Sequence, residues 1–119
     1  MDLKMNKYGN KKVFIDGQEY DSRLEYQRYC QLKLLEKAKE IKDLRRQVYF
    51  ELQPRYKKGN KTIRAINYVA DFVYTDVKTG KTIVEDTKGY RNEVYKIKKK
   101  IFEYVYKDLE IKEMEKGDL

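Results

Sequence analysis

Histidine is missing from this sequence, and cysteine occurs once, as Cys30, among 119 residues. Without histidine, mechanisms that need an imidazole base, an imidazole-activated nucleophile or a histidine–metal bond are excluded. A single cysteine excludes an internal disulfide and a multi-thiolate zinc site. Hydrolytic chemistry must therefore use carboxylates, lysine, tyrosine or metal ions. We expect Cys30 to be a buried thiol on a helix.

Long apolar runs are missing as well, since no stretch approaches the roughly 18 apolar residues of a membrane span. Residues 1–12 are polar and basic, without the apolar core of a secretory signal, and we expect them to be flexible. The chain of 119 residues has about the size of one ordinary domain. We therefore expect a single cytoplasmic domain, residues 1–119, with no membrane partner and no organic cofactor.

Positive charge is in excess. Lysine and arginine number 28 against 20 aspartates and glutamates, which gives a formal net charge of +8. This balance favours a polyanionic partner through electrostatics alone. A lysine-rich surface that serves only solubility is the alternative, because charge provides affinity and not a reaction.

The N-terminal part of the chain predicts a small hairpin followed by a helix. Asp16-Gly17 lies between two short β-prone runs, which is typical of a tight hairpin. Ser22 and Glu25 fit a capping box, so a helix should begin there and run to about Glu40. The apolar stripe predicted for this helix contains Tyr26, Tyr29, Cys30, Leu34 and Ala38, and Leu32 and Leu35 widen the predicted apolar face.

The rest of the chain predicts three strands, a second helix and a last strand, which makes the fold class α+β. The predicted bounds are 48–56, 63–75 and 81–87 for the strands, 92–107 for the helix and 109–114 for the last strand. Asp76–Gly80 has the length and composition of a hairpin turn, so the strands on either side should be antiparallel neighbours. The residues predicted to pack the second helix on the sheet are Val94, Ile97, Ile101 and Val105.

That predicted hairpin brings acidic residues together. If its turn is centred between Lys78 and Thr79, Asp71 and Asp86 face each other across the two strands, and Lys88 lies on the same face. A one-residue bulge at the turn is the alternative. It would point the two aspartates apart and bring Glu85 into the site in place of Asp86.

Opposed carboxylates destabilise a sheet unless a cation lies between them, so the arrangement favours a divalent metal site. Mg²⁺ is the expected ion, with Mn²⁺ able to substitute, because Mg²⁺ binds few carboxylates and leaves positions for water and a phosphate oxygen. The metal would lower the pKa of a bound water and neutralise charge in phosphodiester hydrolysis. Lys88 would position that water or stabilise the developing charge. A solvated hairpin with scattered charges is the alternative.

The pattern of Asp71 followed by Asp86-Thr87-Lys88 resembles the signature of the PD-(D/E)XK nuclease superfamily. A longer set of segments is similar to a phage-borne group of small PD-(D/E)XK proteins once catalogued as a domain of unknown function. These segments are Lys7-Tyr-Gly-Asn-Lys-Lys, Asp16-Gly17, Asp21-Ser22 with Glu25, Leu52-Gln53-Pro54, Ala70-Asp71-Phe72-Val73-Tyr74 and Val84-Glu-Asp-Thr-Lys-Gly89. Ala70 departs from the superfamily pattern, which has proline there.

The resemblance implies a restriction-endonuclease-like αβββαβ core, an α/β/α sandwich with a mixed central sheet. It also implies metal-dependent endonuclease cleavage of DNA. By similarity to Holliday junction resolvases, the implied substrates are branched or recombination intermediates. Glu25 has two interpretations that stay open here, a helix-capping residue or the helix-borne carboxylate that completes the metal site with Asp71 and Asp86.

Basic residues after the acidic pair are expected to contact the DNA backbone. They are Arg91, Lys96, Lys98, Lys99 and Lys100. Because a duplex has two strands to cut, we expect a homodimer. The alternatives are a non-catalytic nucleic-acid-binding module that retains the nuclease fold, and a factor that binds an acidic protein through its lysines.

Overall fold

The structure is a computed structural model that describes residues 12–15, 17–88 and 90–119. Lys12 apart, the segment predicted to be flexible lies outside the described residues, and so does Asp16 of the predicted turn. No helix in the described part of the chain is long and apolar enough to cross a membrane.

The described chain contains a short N-terminal hairpin, a four-stranded sheet, a second hairpin and two α-helices. The strands are β1 (Val13–Ile15), β2 (Gln18–Tyr20), β3 (Ile41–Gln53), β4 (Tyr56–Lys58), β5 (Lys61–Ile63), β6 (Ile66–Asp76), β7 (Thr82–Thr87) and β8 (Ile111–Met114). The helices are α1 (Arg23–Lys37) and α2 (Glu93–Val105), and a 3₁₀ turn follows at Lys116–Asp118.

The central sheet has the strand order β3-β6-β7-β8. The first three strands are antiparallel neighbours, and β8 is parallel to β7 because α2 crosses over between them. β1 and β2 form the predicted antiparallel hairpin. The predicted α+β class with a mixed sheet is confirmed, and β4 and β5 are an additional hairpin inserted between β3 and β6.

Two apolar clusters form the core, one for each helix. On the side of α1, the buried residues are Leu32, Ile41, Phe72 and Tyr74. The cluster that includes α2 residues contains Leu52, Tyr68, Ala70, Val73, Val84, Tyr95, Phe102 and Ile111. In a regular strand, Ala70 and Phe72 would lie on the same face and belong to the same cluster. They belong to different clusters, so the alternation of β6 side chains between the two faces is interrupted around Asp71. The helices therefore cover both sides of the sheet where β6 reaches Asp71.

Helix α1 begins at its predicted N-cap, Ser22, whose hydroxyl accepts a hydrogen bond from the Glu25 N–H at 3.1 Å. Its predicted apolar face is confirmed in part, since Tyr29, Leu32 and Leu35 pack in the core, whereas Cys30, predicted to be buried, is exposed and Leu34 is 68% exposed. The buried residues of the helix are Glu25, Arg28 and Leu32, so two of the three are charged. Polar partners beneath the helix neutralise the first two, and periodicity of apolar residues alone does not reveal such partners.

Strand β3 begins at Ile41, well before the predicted start at Val48. Its first half is polar, which an edge strand tolerates because only one side pairs. The pairing with β6 shifts register between Lys42 and Arg45, and Gln47 has a positive φ of 51°. The strand ends at Gln53, before the predicted end at residue 56, because Pro54 lacks the N–H that a further ladder hydrogen bond needs.

Of the residues predicted to pack helix α2 on the sheet, Ile101 packs against the core, but the centre of the buried face differs from the prediction. Tyr95 and Phe102 are its buried residues, whereas Val94, Ile97 and Val105 are 60%, 57% and 45% exposed. The Phe102 ring contacts the rings of Phe50 and Tyr68 at centroid distances of 5.0 and 5.2 Å. Aromatic side chains bury more area than valine or isoleucine, so they decide which face packs on the sheet.

Candidate metal centre

The β6–β7 hairpin has the symmetric register that its turn predicts. Phe72 pairs with Glu85 and Val73 with Val84, without a bulge over the paired residues. Asp71 and Asp86 are the next residues beyond the Phe72–Glu85 pair, and the Thr87 N–H donates to Asp71, so the two aspartates lie side by side on adjacent strands. Both aspartates are buried, at 3% and 1% exposure. The sheet thus brings two carboxylates together in a part of the molecule that excludes water.

The two aspartates differ in how their oxygens are satisfied. Asp71 Oδ2 accepts a hydrogen bond from the Thr87 N–H at 2.7 Å, and Asp86 Oδ2 accepts one from the Tyr68 hydroxyl at 2.8 Å. Asp86 Oδ1 is buried and has no hydrogen-bond partner in the described chain. The Lys88 ammonium is 3.6 Å from it, beyond hydrogen-bonding distance. Buried carboxylate oxygens normally accept a hydrogen bond, so an oxygen without one is expected to have a partner that the protein chain does not supply.

The two oxygens of Glu25 have different partners, and its position is compatible with both of the interpretations that the sequence left open. One oxygen, Oε1, accepts a hydrogen bond from the Asp21 N–H at 2.6 Å and so satisfies a backbone donor at the start of α1. The other, Oε2, accepts one from the Gln47 side-chain amide at 2.7 Å. The carboxylate is 1% exposed and lies beside Asp71. Capping thus uses one oxygen of the side chain, and the second oxygen is held by Gln47.

Three carboxylates come closest to a metal-binding arrangement, and we call them the acidic group. They belong to Asp21, Glu25 and Asp71, which offer one oxygen each, all within 4.8 Å of one another. The predicted ligand set is therefore brought together in part, because Asp86 lies outside this group. Asp21, 51% exposed at its side chain, belongs to this group but not to the predicted ligand set. Its signal was present, since it precedes Glu25 by one helical turn, but it was assigned only to the start of the helix.

The distances between these oxygens suit a small cation. Ligand oxygens of an octahedral Mg²⁺ with bonds of about 2.1 Å lie about 3 to 4.2 Å apart, so little closure is required. Carboxylates without histidine or cysteine are the donor set of Mg²⁺, Mn²⁺ or Ca²⁺. The residues present therefore fit a hard divalent cation.

Burial and mutual repulsion raise the pKa values of these carboxyls. Burial raises the pKa of Asp71 to about 8. The Lys88 ammonium opposes this rise, and the carboxylates of Asp86 and Glu25 contribute to it. Burial also raises the pKa values of Asp86 and Glu25. Burial alone would lower the pKa of Lys88, but Asp71 and Asp86 raise it above its ordinary value. Lys88 therefore stays charged beside carboxyls that hold protons more strongly than usual.

Two residues of β3 complete the surroundings of the site and carried no recognisable signal in the sequence. Gln47, with its positive φ, donates to Glu25 and lies 3.4 Å from Asp71 Oδ1. Arg46 has a terminal nitrogen 3.7 Å from Glu25 and its guanidinium 4.1 Å from the centre of the Tyr20 ring. Backbone strain of this kind is concentrated at functional sites.

Glu85 lies on the other side of the sheet, as predicted. It is fully buried, and Arg28 donates two hydrogen bonds to its carboxylate at 2.8 and 2.7 Å. The Tyr74 hydroxyl donates a further hydrogen bond to it. This carboxylate is neutralised by a bidentate cation and has no role in the acidic group.

The basic residues predicted to contact DNA differ in their surroundings. Arg91 is 12% exposed at its side chain and pairs with Glu113 and Glu115 at 3.1 and 3.2 Å. Lys96 pairs with Glu93 at 3.2 Å, and Lys99 lies 3.8 Å from Glu113. The remaining two, Lys98 and Lys100, have no ion pair within the described ranges.

A comparison with known protein families matches residues 5–117 to the family described as "Protein of unknown function (DUF1064)". Searches of curated proteins and of solved structures gave no significant match. The family match covers nearly the whole chain, including all residues of the acidic group.

Proposed function

The chain belongs to the DUF1064 family, and we propose that it is a metal-dependent DNA endonuclease of the PD-(D/E)XK type. One observation carries this proposal. Buried Asp86, with its unpartnered oxygen and the Lys88 ammonium 3.6 Å away, lies beside Asp71, which forms an acidic group with Asp21 and Glu25. A protein that only binds phosphates gains nothing from such a concentration of buried carboxylates.

We assign the metal to Asp71, Glu25 and Asp21, with Asp86 as a further ligand. Mg²⁺ is the proposed ion, with Mn²⁺ as a substitute, because the donors are all carboxylate oxygens. When bound, the metal supplies a water of lowered pKa and a positive charge next to the scissile phosphate.

The protein residues prepare this chemistry. Asp71 is held by the Thr87 N–H and Asp86 by the Tyr68 hydroxyl, so both carboxylates are oriented before substrate arrives. Lys88 keeps its proton and offers an ammonium that donates to a phosphate oxygen or to the attacking water. Gln47 donates to Glu25 and so orients that carboxylate toward Asp71.

The proposed substrate is DNA, with branched recombination intermediates of a phage as the class to test first. Lys98 and Lys100, the α2 cations without an ion pair in the described part of the chain, are proposed to contact phosphates. One site cuts one strand, so we propose that the protein acts as a homodimer when it cuts both strands of a junction or duplex.

The decisive experiment is cleavage of labelled four-way junction and linear duplex DNA with Mg²⁺, Mn²⁺ or EDTA. Wild type is compared with Asp86→Asn, and Asp108→Asn, an exposed carboxylate on the loop after α2, is the matched control. We expect cleavage that needs metal, is lost in Asp86→Asn and persists in Asp108→Asn. Salt-sensitive binding without cleavage in any metal would replace this proposal with a non-catalytic nucleic-acid-binding module.

A further inference from the structure

The hairpin inserted between β3 and β6 is unusual in its charge. Between Leu52 and Ala70 the sequence has no aspartate or glutamate and five basic residues. We call residues 54–65 the basic arm. Its cations are Arg55, Lys57, Lys58, Lys61 and Arg64, and all five are exposed.

The cations of the basic arm are not neutralised within the protein. None of the five has an ion pair in the described part of the chain. This distinguishes them from α2 and its neighbourhood, where Arg91, Lys96 and Lys99 lie close to glutamates. The basic arm therefore presents its charge to solvent.

The strand register makes the charge arrangement costly for the isolated protein. Lys58 is directly opposite Lys61, and continuing the register places Arg55 opposite Arg64. Like charges at opposed positions destabilise a two-stranded ribbon. Gly59, with φ of 61°, takes the first position of the two-residue turn, as a type II′ turn requires. A hairpin needed only for folding would favour opposite charges at these positions, whereas a polyanion relieves the repulsion.

The basic arm is connected directly to the candidate metal centre. β6 begins at Ile66 and reaches Asp71 within one continuous strand. Five residues at about 3.3 Å per residue separate the two by about 16 Å. This length corresponds to about five nucleotide steps along a DNA strand at 3.4 Å each.

We infer that the basic arm binds the phosphate backbone of duplex DNA, about five or more nucleotides from the bond at the metal centre. Its position relative to that bond rests on the proposed function, whereas binding itself rests on the arm alone. The arm lacks the continuous apolar face that insertion into a lipid surface requires, because Tyr56 and Ile63, opposed across the strands, share their face with the Lys58–Lys61 pair. A two-stranded ribbon with cations on both faces can contact the phosphates of a DNA backbone, and we therefore assign this polyanion to it.

The test compares two triple variants that remove the same charge. The arm variant is Lys57→Gln/Lys58→Gln/Lys61→Gln. The control is Lys37→Gln/Lys78→Gln/Lys81→Gln, three exposed lysines outside the basic arm that have no ion pair in the described chain. Fluorescence anisotropy with a labelled duplex of about 30 base pairs is measured in EDTA over about 50–200 mM salt.

We expect the arm variant to lose at least about tenfold in affinity at the higher salt, and the slope of log K against log salt to fall by about two to three. The control should change the slope by less than about one. A variant with Lys57→Arg/Lys58→Arg/Lys61→Arg should bind like wild type. Equal losses in arm and control variants, or binding to anionic vesicles in place of DNA, would overturn the inference.

Cleavage separates this inference from the proposed function. At saturating DNA with Mg²⁺, the arm variant should keep kcat and show a raised KM, because its metal centre is intact. Arm-dependent binding by a wild type that never cuts would sink the nuclease proposal and leave the arm inference standing. If wild type cuts DNA and the arm variant cuts it with an unchanged KM, the arm inference would fail and the nuclease proposal would stand. Thermal unfolding of each variant verifies that it is folded.

Discussion

Glu85 and Asp86 are neighbours on β7, both almost completely buried, and yet their surroundings are opposite. Glu85 receives two hydrogen bonds from Arg28 and one from Tyr74. Asp86 receives one from Tyr68, leaving its other oxygen unpartnered beside Lys88 and a further group of carboxylates. The first arrangement is complete without a ligand, whereas the second concentrates negative charge that folding alone does not require.

The largest expected contrast between the two carboxylates is in cleavage. Asp86→Asn removes a proposed metal ligand and should lower kcat/KM at least about a thousandfold. Its thermal stability should change little, because asparagine keeps the shape of the side chain and burial, which raises the pKa of Asp86, disfavours the charge that the substitution removes. The measurement is single-turnover cleavage of junction DNA in Mg²⁺ alongside thermal unfolding. Retained cleavage in Asp86→Asn would remove Asp86 from the site.

On the opposite side of the sheet, the expected effect is on stability. Arg28→Met leaves Glu85 buried without its cation and should destabilise the protein by about 3–5 kcal/mol. The double variant Arg28→Met/Glu85→Leu removes the stranded charge and should recover most of this loss. Urea unfolding measures both values. A small loss in the single variant would show that the ion pair is not what satisfies Glu85.

Two tyrosines allow a matched test of the same comparison. Tyr68→Phe removes the hydrogen bond to Asp86 and should weaken Mg²⁺ binding by about 10–100-fold, as loss of a residue that orients a ligand does. Tyr74→Phe removes the equivalent bond to Glu85 and should leave Mg²⁺ affinity unchanged. Calorimetric titration with Mg²⁺ measures both. Equal effects of the two substitutions would contradict a difference in role.

The smallest expected effect is a pH dependence. Because the pKa of Asp71 is raised to about 8 from an ordinary 3.8, the folded protein without metal binds a proton that the unfolded chain has lost. That contribution to stability is present below pH 3.8 and is lost as pH rises toward about 8. Metal must displace the proton, so Mg²⁺ affinity should rise by up to about tenfold per pH unit below 8.

Thermal unfolding with and without Mg²⁺, at several pH values between about 6 and 8, measures this linkage. The stabilisation by Mg²⁺ should grow with pH in wild type and be flat in Asp71→Asn. A wild-type response that does not depend on pH would mean that metal binding displaces no proton from the site.

The local pattern of the chain was sufficient for the β6–β7 hairpin. Asp76–Gly80 is a short turn between two β-prone runs, and strand pleating then decides which side chains share a face. The adjacency of Asp71 and Asp86 follows from those local rules, and so does the placement of Glu85 on the other side. The N-cap at Ser22 was predictable for the same reason, because capping involves residues only three positions apart.

Helix orientation was not predictable in this way. The apolar periodicity of α1 and α2 pointed to stripes that include Cys30, Leu34, Val94 and Ile97, all exposed. Arg28 is buried because Glu85, distant in sequence, lies beneath it, and Phe102 because Phe50 and Tyr68 form a site for its ring. Periodicity counts apolar residues and does not identify their partners.

By itself, the sequence determined the order of the main helices and strands, the α+β class and the register of the β6–β7 hairpin, since local conformational preference and contacts between near neighbours decide these. Only the tertiary structure decided that Glu25 and Gln47 meet Asp71, and that Arg28 pairs with Glu85. Those contacts join segments separated by long stretches of chain, where packing of the whole sheet and not local conformational preference sets the distance.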